Sequence, residues 1–284
     1  MTITPDTHTD PNAFRRMMRD ARGQQPPQAP LGSWLMANSP LVAEAMGHAG
    51  FAWAVVDMEH SPIDLGSLVH LLQAVAGTPM VPVTRVPWND MVMIKRVLDA
   101  GATTLMVPFV QNADEAQAAV AATRYPPDGV RGMAGMSRGS RLGTAPNYLT
   151  TANAGISVII QLETPSAIAD TARVAALPGV DGIFLGPADI SATMGLVGQL
   201  QHPDVLALMA ESIAHAHAAG KWVGTVGGMP AQVRQYRDMG FDFVAIASDM
   251  GLLMRAATGA VAELGAGSAQ AASPAAAAVA KSGY

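Results

Sequence analysis

The chain alternates short apolar, β-branched runs with longer stretches whose apolar positions recur every three to four residues. Runs of the first kind read as buried parallel strands. They are Ser33–Met36, Ala54–Asp57, Val81–Thr84, Thr104–Val107, Ser157–Leu162, Gly182–Leu185, Trp222–Thr225 and Phe243–Ala247. Helical patterns follow them at Leu41–His48, Leu65–Ala76, Met91–Ala100, Ala113–Arg124, Ser166–Ala176, Pro203–Ala219, Ala231–Met239 and Leu252–Leu264. The segments DAGATTLMVP, AAGKWVGTVG and DMGFDFVAIA each close a helix on glycine and enter a strand at once. Glycine takes the left-handed conformation after a helix at little cost, so these are αβ turns. Eight such βα units predict an α/β fold, a (β/α)8 TIM barrel. A doubly wound open sheet is the alternative, and the lack of G-x-G-x-x-G after the first strand weakens its dinucleotide-binding version.

Residues 1–30 form an N-terminal tail, a short helix and a Pro-rich linker. Residues 1–9 read as disordered, Asp10-Pro11 as an N-cap followed by proline at the first helical position, Asn12–Arg22 as the helix and QQPPQAP as the linker. Residues 31–264 make the barrel domain. Residues 265–284 are Ala/Ser/Pro-biased and lack large apolar side chains with which to dock, so they read as a mostly disordered tail.

Composition narrows the function classes. Half of the 284 residues are hydrophobic, enough for a barrel core, and the net charge of −5 comes without a long basic run. That argues against nucleic acid or an anionic membrane as partner. The chain has no cysteine, which excludes disulfides, thiolate zinc sites and thiol catalysis. No apolar signal core stands at the N-terminus, and no window reaches the roughly 18 apolar residues of a membrane span. A cytoplasmic protein is the expectation.

In α/β barrels the chemistry lies at the C-terminal ends of the strands, and polar residues gather there. Strand 2 ends in Asp57-Met58-Glu59-His60, strand 3 in Thr84-Arg85, strand 5 in Gln161-Leu162-Glu163 and strand 6 in Gly186-Pro187-Ala188-Asp189. Glu163 and Asp189 sit at neighbouring strand ends and can converge on one point. Two carboxylates without a thiolate suit a hard or borderline dication such as Mg2+ or Mn2+; each alone is read equally well as a helix cap. Asp57 and His60 can form a carboxylate–imidazole pair for proton transfer. Glu59 shares the alternation phase of Asp57 and is read as a supporting residue. Arg85 is placed to bind a carboxylate or a developing oxyanion, with a buried ion pair as the other use. The remaining histidines fall on tails or helices and are read as structural.

A Schiff-base mechanism needs a lysine inside the barrel. The chain has Lys95 in a helix pattern, Lys221 before strand 7 at the wrong end, and Lys281 in the tail. Covalent imine chemistry is therefore poorly supported. The stretch Tyr125–Gly155 reads as a long βα insertion, a lid or binding loop in which Arg131, Arg138 and Arg141 meet an anionic substrate, a neighbouring subunit or solvent.

Taken in order, G-S-W-L, VVDMEHSP, VTRVPW, YPPDGVRG, QLETP and GPADIS resemble the HpcH/HpaI aldolase family of metal-dependent pyruvate aldolases, over about Asn12 to Leu264. The resemblance implies a divalent metal (Mg2+, Mn2+ or Co2+) held by Glu163 and Asp189. It implies Arg85 and Gln161 near the keto or enolate oxygen, the backbone amides of Ala188 and Asp189 on the substrate carboxylate, and His60 with Asp57 assisting proton transfer. The partners it implies are a small 2-oxo acid and an aldehyde, and the assembly is a homohexamer packed through the C-terminal helix. Three other activities compete on the same barrel: oxaloacetate decarboxylation, a CoA-ester lyase reaction, and keto-acid binding without catalysis.

Overall fold

The structure, a computed structural model, describes residues 10–25 and 28–265. The expectations for residues 1–9, for part of the linker and for 266–284 lie outside those residues. After helix α1 (Ala13–Gly23) the chain runs β1 (Leu31–Leu35), α2 (Pro40–His48), β2 (Trp53–Asp57), α3 (Leu65–Val75), β3 (Val81–Arg85), α4 (Met91–Asp99), β4 (Thr104–Val107) and α5 (Ala113–Thr123). It continues through α6 (Tyr148–Thr151), β5 (Ser157–Leu162), α7 (Pro165–Ala169), α8 (Thr171–Ala176), β6 (Gly182–Leu185) and α9 (Pro187–Thr193). It ends with α10 (Pro203–Ala218), β7 (Trp222–Gly227), α11 (Pro230–Asp238), β8 (Phe243–Ser248) and α12 (Asp249–Leu264). The strands close a barrel in sequence order, β1 through β8, and pair in parallel, as the alternation of strand and helix patterns predicts.

Local chemistry sets the element ends. Ser39, Asp64, Asp90, Asn112 and Thr164 each accept the backbone N–H three residues on, capping α2, α3, α4, α5 and α7. Gly101, Gly220 and Gly240 take positive φ angles of 103°, 73° and 100° at the three αβ turns. Helix α1 starts one step later than the sequence suggests. Asn12 is its N-cap, accepting from Arg15 N, while Asp10 accepts from Asn12 N and binds Arg15 instead. The single helix expected over Ser166–Ala176 is two, α7 and α8, meeting at Asp170, whose carboxylate accepts Ala113 N at 2.8 Å.

Strand alternation divides the core into two layers. Outward positions such as Val56, Leu105, Ile160 and Leu185 pack against the helices. Inward positions fill the barrel with Trp34, Trp53, Phe184, Phe243 and smaller residues. Rings of that size fit because Gly32 and Gly224 face them: an added Cβ would lie 2.2 Å from the Trp53 ring and 2.2 Å from the Phe243 ring. At the N-terminal mouth α1 acts as a plug. Phe14 makes edge contacts with Phe243 and Trp222, at centroid distances of 5.3 and 6.2 Å. Asn12 Nδ2 donates to Thr103 O and Gly155 O. With that end closed and stuffed with rings, the charged inward positions of β2, β3 and β5 stand at the opposite mouth.

The expected insertion lies at the wrong end for a lid in its own chain. It follows α5 and precedes β5, so it is an αβ connection at the N-terminal side. Gly139 N donates to Asp99 O and Arg138 Nη1 to Ala100 O, tying it to the end of α4. Arg131 is fully buried there, bound to Asp99 at 2.7 Å with its guanidinium 4.4 Å from the Tyr125 ring centre.

Candidate active site

The inward column of β2 rises from Trp53 through Val55 to Asp57, and that of β3 from Val81 through Val83 to Arg85. The strands pair so that Asp57 stands directly opposite Arg85. Arg85 Nε donates to Asp57 Oδ1 at 2.9 Å and Nη2 to Oδ2 at 2.8 Å, with both side chains fully buried. Breaking such a buried fork costs about 3–5 kcal/mol, because it strands a charge away from water. The Arg85 guanidinium also lies 5.6 Å from the Trp34 ring centre.

Asp57 is thus the bidentate partner of Arg85. Its Oδ1 also accepts the backbone N–H groups of Glu59 and His60 at 3.0 and 3.4 Å, which shapes the turn after β2. Glu59 lies near the imidazole: its Oε2 is 3.8 Å from His60 Nε2 and 2.7 Å from Arg85 Nη1. Burial raises the Glu59 carboxyl above its usual range, with Asp57 and Asp189 adding to the rise and Arg85 and His60 opposing it. The His60 side chain is 55% exposed, so it borders solvent at the mouth.

On the other side, the inward column of β5 carries Ile159, Gln161 and then Glu163. Glu163 is 3% exposed and accepts a hydrogen bond from Gln161 Nε2. Gln161 Oε1 is buried with no hydrogen-bond partner among the described residues. Burial drives the Glu163 carboxyl up to about 8, helped by the charges of Asp189 and Glu59 and opposed by Arg85. Gly186 makes room for it, since a Cβ there would lie 2.8 Å from Glu163 Oε1. Gly186 is also the N-cap of α9 and has no side chain to cap the first turn, where Ala188 and Asp189 lie.

This donor set fits a divalent cation. Two carboxylates, one forced toward protonation by crowding, gain charge balance from a dication. An orphan amide oxygen stands beside them. Among the described residues no group of three His, Cys, Asp or Glu side chains could hold a metal ion, so water and substrate oxygens would have to complete a shell begun by two carboxylates. Among the described lysines none reaches this mouth: Lys95 lies within α4, and Lys221 Nζ binds Val180 O before β7. Gly186 escapes a sequence reading because its role depends on a carboxylate 23 residues earlier.

Comparison with known proteins identifies the family. The HpcH/HpaI aldolase/citrate lyase family profile matches residues 31–256. A 2-dehydro-3,6-dideoxy-6-sulfogluconate aldolase of Pseudomonas putida is 49% identical over 226 residues, 80% of this chain and 89% of its own. A 4-hydroxy-2-oxo-heptane-1,7-dioate aldolase of Salmonella heidelberg (strain SL476) is 43% identical over 256 residues, 90% of this chain and 95% of its own. A solved family protein from Burkholderia cenocepacia J2315 superposes with a TM-score of 0.83 at 41% identity, covering 87% of this chain and 98% of that one. The match runs through every strand that carries the site, and the chain belongs to the HpcH/HpaI aldolase/citrate lyase family as a lyase enzyme of that class.

Proposed function

We propose that the enzyme catalyses the reversible aldol cleavage of 4-hydroxy-2-oxo acids to pyruvate, or a pyruvate analogue, and an aldehyde. The observation that carries this assignment is the buried Glu163 at the barrel mouth, under the combined charges of Asp189, Glu59 and Arg85. Glu163 and Asp189 would hold a divalent metal (Mg2+, Mn2+ or Co2+). When bound, the metal supplies Lewis-acid polarisation of the 2-oxo group and positive charge against the enolate.

The chain's own groups do the rest. The amides of Ala188 and Asp189, at the start of α9, receive the substrate carboxylate. Gln161 orients the keto oxygen. Arg85, pinned by two carboxylates, offers a preorganised positive charge to the enolate oxygen. His60 accepts the proton of the C4 hydroxyl. The O–H pair becomes the aldehyde C=O, the C3–C4 bond breaks, and its electrons pass into the enolate of pyruvate. Protonation at C3 then gives pyruvate.

The test is metal removal. Stripping with EDTA should abolish aldol cleavage, and Mn2+ or Mg2+ should restore it; activity retained by the stripped enzyme overturns the proposal. Borohydride added with pyruvate should label no lysine.

We also propose that the enzyme assembles as a homohexamer through α12. Of the 16 residues in that helix only Asp249 is buried, while Leu253, Met254, Val261 and Leu264 are exposed. An apolar face that long is stabilised by burial against another copy.

A further inference from the structure

We infer that Glu59 couples Arg85 to His60, as a positioning residue for both, in the aldol reaction proposed above. A single oxygen carries the inference: Glu59 Oε2 is 2.7 Å from Arg85 Nη1 and 3.8 Å from His60 Nε2. Asp57 makes other contacts. Its Oδ2 binds Arg85 Nη2, and its Oδ1 is shared among Arg85 Nε and the amides of Glu59 and His60. Asp57 thus sets the turn that delivers Glu59 and His60, and Glu59 makes the side-chain contact. Exposure rises along the chain of groups, from 0% at Arg85 through 13% at Glu59 to 55% at His60. Glu59 therefore spans the step from a buried cation to a solvent-bordering base.

Charge neutralisation alone does not account for Glu59. Asp57 already matches Arg85 in a bidentate fork. A second carboxylate is opposed by burial and by the charges of Asp57 and Asp189, so as a purely structural device it is unfavourable. Its place is explained by the reaction. When His60 takes the C4 hydroxyl proton, positive charge appears beside Oε2 and draws the carboxylate toward the imidazole. Arg85 is then less neutralised as negative charge grows on the enolate oxygen. One carboxylate meets both charge changes of the same step. The charged groups that act on the Glu59 carboxyl are Arg85, His60, Asp57 and Asp189.

The test uses Glu59→Gln, which keeps the shape and removes the charge, in the metal-loaded enzyme. Two rates separate the contacts. Exchange of the pyruvate C3 protons in D2O, read by NMR, requires enolate stabilisation but no C4 hydroxyl. Cleavage of a 4-hydroxy-2-oxo acid requires both. Exchange should fall about tenfold and cleavage about a hundredfold, the scale of lost positioning and impaired proton transfer. In a His60→Ala background the cleavage effect should shrink to about tenfold, the exchange effect. Glu59→Asp should recover part of the loss, and it carries the same comparison if thermal melts show that Glu59→Gln does not fold. Rates within twofold of wild type in both assays overturn the inference. So does an equal cleavage factor with and without His60, which would mean that Glu59 acts through Arg85 alone. Wild type inactive in both assays would instead fail the aldol assignment, and is measured first.

Discussion

A single methyl group at Gly186 should loosen the proposed metal site without replacing either ligand. Gly186 has φ −92° and ψ 93°, a backbone that alanine adopts without strain, so the effect of Gly186→Ala is wholly steric. The new Cβ would lie 2.8 Å from Glu163 Oε1, 3.1 Å from Cγ and 3.2 Å from Cδ. Comfortable contact is about 3.5 Å or more, so the carboxylate must retreat by roughly half an ångström. It has little freedom to do so, being 3% exposed and held by Gln161. Disturbing the support of a ligand typically weakens metal binding about 10- to 100-fold, which corresponds to about 1.4–2.8 kcal/mol. Overpacking should also destabilise the metal-free protein by about 1–3 kcal/mol. The assay is calorimetric titration of Mn2+ into metal-stripped wild type and variant, with thermal melts to establish folding. A folded variant that binds Mn2+ within twofold of wild type refutes the steric argument. Wild type that binds no Mn2+ refutes the metal site itself.

Two further outcomes follow from the same geometry. The metal-free enzyme should lose stability as pH rises from about 4.5, where an ordinary glutamate ionises, through about 8. Burial, with the charges of Asp189 and Glu59, lets the folded chain keep a proton on Glu163 that the unfolded chain has released, so stability falls across that window. Excess Mg2+ or Glu163→Gln should flatten the slope; melting temperatures equal at pH 5 and pH 9 without metal would contradict this. Phe14→Ala should unseat the α1 plug, since the ring is fully buried against Phe243 and Trp222. The loss should be about 3–5 kcal/mol, a fall in Tm on the order of 10 °C, with Mn2+ affinity unchanged because the proposed metal ligands are at the opposite mouth. An unaltered Tm would show that α1 does not close the barrel.

Much of the protein is legible in its sequence because the relevant signals are local. Strands announce themselves as β-branched runs, αβ turns as glycines after helices, and caps as Ser, Asp or Asn at fixed offsets. Period-two alternation places Asp57 with Glu59, and Gln161 with Glu163, on one face each, and the barrel rule then locates that face at the mouth. Pairing across strands carries no such local signal. Asp57 meets Arg85 because the β2–β3 register sets two residues 28 apart side by side. Tertiary contacts likewise decide that a helix breaks where Asp170 turns to Ala113 N, and that the arginine-rich insertion falls at the far end of the barrel. The sequence by itself determines which groups stand at the mouth. Only the closed barrel decides which of them touch, because register and closure bring together residues from separate strands.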